Sequence, residues 1–224
     1  MTTDNGQTVA LAIPKMEMGV VEFEQERRRF VEFVRSQMVD GEDFGLIPGA
    51  GDRKVLLKPG AEKLAGLFGL TIESHILAEQ QVWDKEPPFI RYQFRTDLRS
   101  LRTGQIVGCG FGSCHSMETK YRWREQKRAC PSCGSEAVIK GKEEYGGGWL
   151  CWKKQGGCGA KYGDDDAAIT GQSVGRVPNM ETADLDNTIM KMARKRSVVD
   201  AMLSTTRASG VFTQDIEDQV DGVI

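Results

Sequence analysis

Four cysteines near the middle of the chain have the spacing of metal ligands. Cys130 and Cys133 are separated by two residues, and the glycine that follows permits a tight turn that points backbone N–H groups at sulfur. Cys151 and Cys158 form a second pair with six residues between them, a wider gap than in the common zinc ribbon. The array C-x2-C-x17-C-x6-C nevertheless predicts a zinc ribbon, with Zn²⁺ held tetrahedrally by four thiolates.

A zinc ion with four thiolate ligands is expected to have a structural role. The four thiolates complete the tetrahedral shell and leave no position for water or substrate, so the ion folds the insertion and does not catalyse. Cys109, Cys114 and His115 are a second group that could hold a metal together with a distant ligand. Metal-free buried cysteines are the simpler interpretation of that group, because one complete set of four thiols is already present.

Basic residues dominate the segment that contains the four cysteines. Residues 118–163 carry ten basic and five acidic side chains, whereas the whole chain has a net charge of -2. Cations that follow phosphates, combined with aromatic rings that stack on bases, bind single-stranded nucleic acid. Trp149 and Trp152 are interpreted as packing the small core of the segment, and the cations as DNA contacts. The candidate DNA contacts here are Arg122, Arg124, Lys153 and Lys154.

Two further groups of cations fall on predicted regular elements. Polar and apolar residues alternate over residues 89–101, which predicts a strand with one arginine-bearing face. The arginines of that face, Arg91, Arg95 and Arg99, are candidate contacts for DNA phosphates, and a solvated outer sheet face is the alternative. Residues 186–209 have apolar residues at helical spacing, and the cations of this predicted helix are Lys191, Arg194, Lys195 and Arg196. Arg196 falls nearest the apolar stripe, so it is expected to pair with an acid or to reach along a subunit boundary.

Several motifs that recur in enzymes are missing from the sequence. There is no G-x-x-x-x-G-K-[ST] loop for nucleotide phosphates, no G-x-S-x-G elbow and no H-E-x-x-H pair. The cysteine half of the deaminase signature is present at Cys130 and Cys133, but no H-x-E pair precedes it. The acidic run 164–166 could bind Mg²⁺, although consecutive side chains diverge and a solvated loop is the simpler interpretation. The sequence therefore predicts a binding protein that is not an enzyme and needs no ATP.

The elements that must position these residues predict an α+β fold. An antiparallel β-meander packed with helices forms its core, and the four-cysteine zinc ribbon is inserted into it. The expected strands are 55–57, 71–83, 89–101 and 105–109. The expected helices are 17–39, 59–68 and 186–209, with glycines at the C-terminal ends of the last two. Residues 163–179 are expected to be a polar connector.

Composition and charge suggest an order of segments along the chain. Residues 1–41 are expected to be an N-terminal helical segment, and residues 42–117 and 164–212 to form the core. Residues 118–163 are the expected zinc-ribbon insertion. Residues 213–224 are an acidic tail with four carboxylates and no cation. That tail could occupy a basic groove when DNA is absent, but keeping the protein soluble is its simpler role.

The overall composition excludes several classes of protein. With 30 lysines and arginines against 32 aspartates and glutamates, the 224-residue chain has no uniformly basic coat, so a polyanion site must be local. No stretch approaches the roughly 18 apolar residues of a membrane helix, and the first residues lack the pattern of a secretion signal. A cytoplasmic location is expected from these features.

Three stretches of the sequence resemble a known family. They are DFGLIPGAGDRKVLLKPGAEKLAGLFGL, GGGWLCWKKQGGCGAKY and NTIMKMARKRSVVDAMLSTTRASGVFTQDIED. Together with the strands between them they resemble the phage and mobile-element recombination proteins of the Rad-fifty-two-like single-strand annealing superfamily, related to RecT, Redβ and Erf. The likeness covers most of residues 42–218. The simplest members of that superfamily lack a zinc ribbon.

The resemblance implies a β-β-β-α core whose subunits assemble into rings or filaments, with DNA in a groove between the curved sheet and a helix. The expected function is ATP-independent binding and annealing of single-stranded DNA in homologous recombination. Expected partners are single-stranded DNA, further copies of the chain, and a phage exonuclease or single-strand binding protein, with no membrane. Two alternatives stay open: a nuclease-like DNA-processing enzyme that uses the ribbon to hold DNA, and an adaptor for replication or recombination proteins.

Overall fold

The computed structural model describes residues 18–47 and 53–212. The first part of the expected N-terminal segment and the acidic tail at 213–224 lie outside these residues. Helix α1 (Val20–Gln37) begins after Gly19, and its first ten residues are exposed to solvent. The second half of α1 packs into the apolar core, through Val34 and the half-buried Phe30 and Phe33.

Two short strands and a helix follow α1. Strands β1 (Phe44–Gly45) and β2 (Val55–Leu56) pair antiparallel. Helix α2 (Lys58–Phe68) has a proline in its first turn and ends at Gly69, whose φ of 61° lies in the left-handed region. Proline is tolerated in the first turn of a helix, because the N–H that it lacks would have no helical partner there. Glycine adopts the left-handed conformation without strain. The expected start and stop of α2 are therefore correct.

Three long strands form the central sheet. They are β3 (Leu70–Val82), β4 (Phe89–Ser100) and β5 (Ile106–His115), antiparallel in the order β3-β4-β5. The expected antiparallel meander is confirmed, but β5 extends six residues beyond its expected end at 109. The pattern of β5 is hard to recognise because glycines occupy alternate positions on one face and supply no apolar side chain.

The cysteine-containing residues between β5 and the last helix form small sheets. Strand β6 (Trp123–Gln126) comes first, and the next three strands form an antiparallel sheet in the order β7-β8-β9. These are β7 (Val138–Lys140), β8 (Trp149–Cys151) and β9 (Lys161–Tyr162). We call residues 127–163 the cysteine module.

The expected polar connector has regular structure of its own. It contains the short helix α3 (Ala167–Thr170), whose first turn is capped by the Asp166 carboxylate accepting from the Ala168 N–H at 2.9 Å. It also contains β10 (Gly175–Pro178), which pairs antiparallel with β6 and so closes a two-stranded stem. The sequence does not predict these elements within the polar connector, because the partner of β10 lies about fifty residues earlier in the sequence and local pattern cannot reveal it.

The last helix, α4 (Asp186–Thr206), packs across the sheet at β5 and β4. The close approach depends on Gly108, Gly110 and Gly112, which line the helix-facing side of β5. A Cβ at Gly110 would lie within 2.6 Å of the Cα of Ala201, so no larger residue fits there without moving the helix. The helix ends earlier than expected, at Arg207 with a φ of 58°, and a 3-10 turn (Ala208–Gly210) follows.

Two apolar clusters hold α4 to the body. The C-terminal half of α4 packs with α1, α2 and the near end of the sheet, where Leu64, Leu98 and Met202 are fully buried. The N-terminal half packs Ile189 and Ala193 against the far end of the sheet. Between the clusters a buried polar contact joins the Thr96 and Ser197 hydroxyls at 2.7 Å. No helix among the described residues has the length and apolar character needed to cross a membrane.

Candidate metal centre and cation clusters

The fold brings the four cysteines of the module together. Cys130 begins a tight turn in which the Gly134 N–H donates to its carbonyl at 2.8 Å, and the φ of 73° at Gly134 requires glycine. Cys151 lies at the end of β8, opposite Val138 of β7. The Cys158 N–H donates to the Cys151 Sγ at 3.3 Å, an interaction typical of metal-binding turns. Strand pairing and these turns thus bring the four cysteine side chains together.

The distances between the thiol sulfurs fit a tetrahedral metal site. All four Sγ atoms lie within 4.8 Å of one another. The Cys130–Cys158 and Cys133–Cys151 sulfurs are 3.8 Å and 3.7 Å apart. A tetrahedron with zinc–sulfur bonds of about 2.3 Å has sulfur–sulfur edges of about 3.8 Å. The arrangement is therefore compatible with one structural metal ion.

Tyr162 contributes a polar contact to this cluster. Its hydroxyl donates to the Cys130 Sγ at 2.9 Å, and this hydrogen bond is the main reason that the pKa of Cys130 is lowered to about 6. The same oxygen lies 2.8 Å from the Ser132 hydroxyl. Burial instead raises the pKa of Cys151 to about 11. The sequence shows Tyr162 four residues after Cys158, but the cross-sheet contact with Cys130 follows only from the β8–β9 pairing.

The two tryptophans of the module do not form its core. The buried cluster consists of Cys130, Ala137 and Cys151, with Trp149 and Trp152 half-buried outside it. The Trp149 ring is instead contacted by two cations, and its Nε1–H donates to the Asp164 carbonyl at 3.2 Å. Those cations are Arg128, 4.2 Å from the ring centre, and Lys140, at 4.7 Å. The expectation that these tryptophans pack the module's core is thus wrong.

The second candidate metal group does not assemble. Cys114 pairs with Tyr92 across β4–β5 and is buried under α4, whereas Cys109 pairs with Asp97. Because the two cysteines are five residues apart on one strand, their side chains lie on opposite faces of the sheet. Burial raises the pKa of the Cys114 thiol to about 12, which keeps it protonated and unsuited to bind metal. His115 lies beside the Phe89 ring.

Three of the four cations expected on α4 carry uncompensated charge. Lys191 and Arg194 are exposed and Lys195 is half-buried. Within residues 18–47 and 53–212, no carboxylate forms an ion pair with any of the three. Burial lowers the pKa of Lys195, and the nearby charge of Lys120 lowers it further. Lys120, in the loop after β5, was not among the residues expected from the sequence, because only the fold brings it to α4.

Arg196 differs from its three neighbours. Its guanidinium forms two hydrogen bonds with the Glu118 carboxylate, at 2.6 and 2.9 Å, and donates to the Ser113 carbonyl at 2.6 Å. The Glu118 pKa is lowered below its usual value because this pairing overcomes the effect of burial. Arg196 thus pairs with an acid, as its position near the apolar stripe predicts, and fastens α4 to the end of β5.

The arginines of β4 share the open face of the sheet, opposite α4. Arg95 donates to the Asp97 carboxylate at 2.7 Å. Arg99 binds both oxygens of Glu73, at 3.2 and 3.1 Å. Arg91 is exposed and has no acidic partner in the part of the chain that the structure describes. The face is therefore less positive than three arginines would suggest.

The remaining candidate cations surround the stem and the module. Arg124 pairs with Glu181 at 2.8 Å, and Arg122 lies 5.2 Å from the Trp123 ring centre. Lys153 and Lys154 are exposed in a 3-10 turn between the third and fourth cysteines.

Comparisons of the chain with protein-family models, with curated proteins and with solved structures find no match. The class that fold and site define is an α+β protein with a four-thiol cluster.

Proposed function

We propose that the protein binds and anneals single-stranded DNA without ATP, in homologous recombination, and that its cysteine module is a zinc ribbon. The observation that carries the proposal is the cation cluster formed by Lys120, Lys191, Arg194 and Lys195. Like charges brought together at a partly buried position, with no ion-paired carboxylate among the described residues, favour an external polyanion. We call these four residues the α4 cluster.

The position of the α4 cluster supports a nucleic-acid ligand. Lys191, Arg194 and Lys195 are spaced i, i+3 and i+4 on one edge of α4, so their side chains share one side of the helix. Several cations along a line follow the repeated phosphates of a strand better than they enclose one small anion. The β-β-β-α arrangement of the body is the one that the resemblance to annealing proteins implies.

The zinc assignment rests on the chemistry of the donors. Four thiolates at tetrahedral distances select zinc or iron among common metals, and a site whose ligands fill the shell suits zinc in a structural role. Cys130, Cys133, Cys151 and Cys158 would hold the ion. Elemental analysis should find one zinc per chain. The ion fixes the module, and the exposed Lys153 and Lys154 then have defined positions beside it.

DNA binding is tested by removing the charge of the α4 cluster. Changing Lys191, Arg194 and Lys195 to Gln should weaken binding to a single-stranded oligonucleotide, measured by fluorescence anisotropy over a range of salt concentrations. Each lost phosphate contact should flatten the slope of log affinity against log salt by up to about one unit. Annealing of complementary strands, followed without ATP, should slow in parallel.

A matched control changes Arg28, Arg35 and Lys58 to Gln. It removes the same charge from exposed positions on α1 and α2, so it should leave the slope close to that of the unchanged protein. A folded α4 variant that anneals at the original rate would remove the cluster from the mechanism. Loss of labelled DNA in Mg²⁺ would favour the nuclease-like enzyme. Absence of any affinity for DNA would favour an adaptor.

A further inference from the structure

An apolar groove lies at the opposite end of α4 from the α4 cluster. Its volume is about 530 Å³. The exposed half of α1, the end of α2 and the turn after α4 form its walls, and we call it the α1–α2 groove. Its apolar lining includes Phe23, Leu67, Phe68 and Val211, with 44%, 45%, 45% and 38% of their surfaces exposed. Large apolar side chains rarely gather on a surface unless something covers them.

The rim of the α1–α2 groove is positively charged. Arg27, Arg29 and Arg207 line it beside a single acid, Glu26. Within the described residues no carboxylate forms an ion pair with any of these arginines, and the Arg207 guanidinium lies 5.7 Å from the Phe23 ring centre. An occupant that matches this groove has apolar side chains along one side and carboxylates beside them.

Residues 213–224 have this composition. Their sequence, TQDIEDQVDGVI, contains four acids and no cation, and Ile216, Val220 and Val223 are spaced i, i+4 and i+7. That spacing puts three apolar side chains on one side of a helix, with two of the four acids flanking them. The segment therefore complements both the apolar lining and the arginine rim of the groove.

The place where the chain leaves the described structure favours the same occupant. Phe212 is buried, with its ring centre 5.4 Å from that of Phe44, so the segment starts from a fixed point. Gly210 and Val211, which immediately precede Phe212, line the groove. Twelve helical residues span about 18 Å, enough to cover the roughly 15 Å of the exposed half of α1. A tethered segment also acts at an effective concentration of about millimolar.

We propose that residues 213–224 dock in the α1–α2 groove of their own chain, with their apolar side chains on Phe23 and Phe68 and their carboxylates against Arg27 and Arg207. The docked segment covers the exposed half of α1 and fixes its orientation. The proposal concerns a different surface from the α4 cluster and does not depend on DNA binding.

Amide hydrogen exchange of the full chain tests this docking. Changing Ile216 and Val220 to Asp should speed exchange in residues 20–30 of α1, by about ten-fold if the segment is docked about nine-tenths of the time, because protected amides then exchange only from the undocked fraction. The matched control changes Gln214 and Gly222 to Asp, which adds the same charge on the side opposite the apolar stripe and should leave exchange unaltered. Equal exchange in all three proteins would overturn the proposal, as would equal acceleration by the control.

A photo-crosslinker at position 216 separates docking within one chain from docking between chains. Crosslinks to peptides containing Phe23 or Phe68, within one chain and independent of protein concentration, are expected. Crosslinked dimers that increase with concentration would overturn docking within the chain and would assign the α1–α2 groove to a second copy.

Discussion

The body of the protein, which comprises the central sheet with α1, α2 and α4, is stabilised differently from the cysteine module. In the body, large side chains such as Leu64, Leu98 and Met202 are fully buried where α4 meets the sheet. In the module, the buried cluster contains Cys130, Ala137 and Cys151, of which two are proposed metal ligands. The body therefore has an apolar core of its own, whereas the buried cluster of the module has three residues, two of them cysteines.

Backbone conformation widens this difference. Six glycines of the module have positive φ, and they are Gly134, Gly146, Gly147, Gly148, Gly156 and Gly159. Glycine loses more conformational entropy on folding than any other residue, so a glycine-rich module with a small core has little net stability without a further interaction. Metal binding would supply such an interaction, because its free energy is coupled directly to folding. The comparison implies that the two regions can be disrupted separately.

The largest expected effect is that of removing a metal ligand. Cys133→Ser should abolish zinc in elemental analysis and unfold the cysteine module, because three thiolates bind zinc far more weakly than four. Limited proteolysis should then cut within residues 127–163 and leave the central sheet and α4 resistant. Tryptophan fluorescence should report the change, since Trp149 and Trp152 both lie in the module.

Cys114→Ser is the reciprocal control. Cys114 is buried under α4, so serine there should destabilise the body while the zinc content stays at one per chain. If Cys114→Ser loses the metal and Cys133→Ser keeps it, the ligand assignment is wrong. If Cys133→Ser unfolds the whole chain in one transition, the two regions are not independent.

A second prediction disrupts the body and spares the module. Gly110→Val puts a branched side chain against the Ala201 backbone, so it should lower the free energy of unfolding by at least about 3 kcal/mol. Urea denaturation followed by far-ultraviolet circular dichroism measures this loss. Ser113→Val, on the open face of the same strand, should change the free energy by less than about 0.5 kcal/mol. Equal effects of the two variants would contradict the close packing of α4 on β5.

The sequence predicts the central strand better than its neighbour. In β4, Ile90, Tyr92 and Phe94 alternate with polar residues, and that pattern alone identifies the face that α4 buries. In β5 the same face carries glycines, whose role becomes visible only when the helix lies against them. Apolar pattern predicts burial by side chains, but it cannot predict burial of a bare backbone.

The residues of the candidate sites also differ in how well the sequence predicts them. The four cysteines are identified by local spacing, because each pair must reach one ion from a short segment. The cations are not, because a charge is available for a ligand only if the fold provides no acid for it. Arg196 and Lys195 are adjacent in the sequence, yet one pairs with Glu118 and the other faces Lys120. These partners lie about 75 residues away from α4, and no local pattern reports them.

The smallest expected effect is that of removing the arginines on the open face of β4. It tests how this face differs from the α4 cluster in DNA binding. Arg95 and Arg99 already bind Asp97 and Glu73, so a phosphate must compete with those carboxylates. Changing Arg91, Arg95 and Arg99 to Ala should therefore flatten the salt slope of DNA binding by no more than about one unit, mainly through Arg91. The single variant Arg91→Ala should reproduce most of that change. A loss of DNA affinity larger than that of the α4 variant would mean that DNA displaces the acids and follows the open face of the sheet. An unchanged affinity and slope would instead show that this face is solvated and that DNA contacts only the helix side of the molecule.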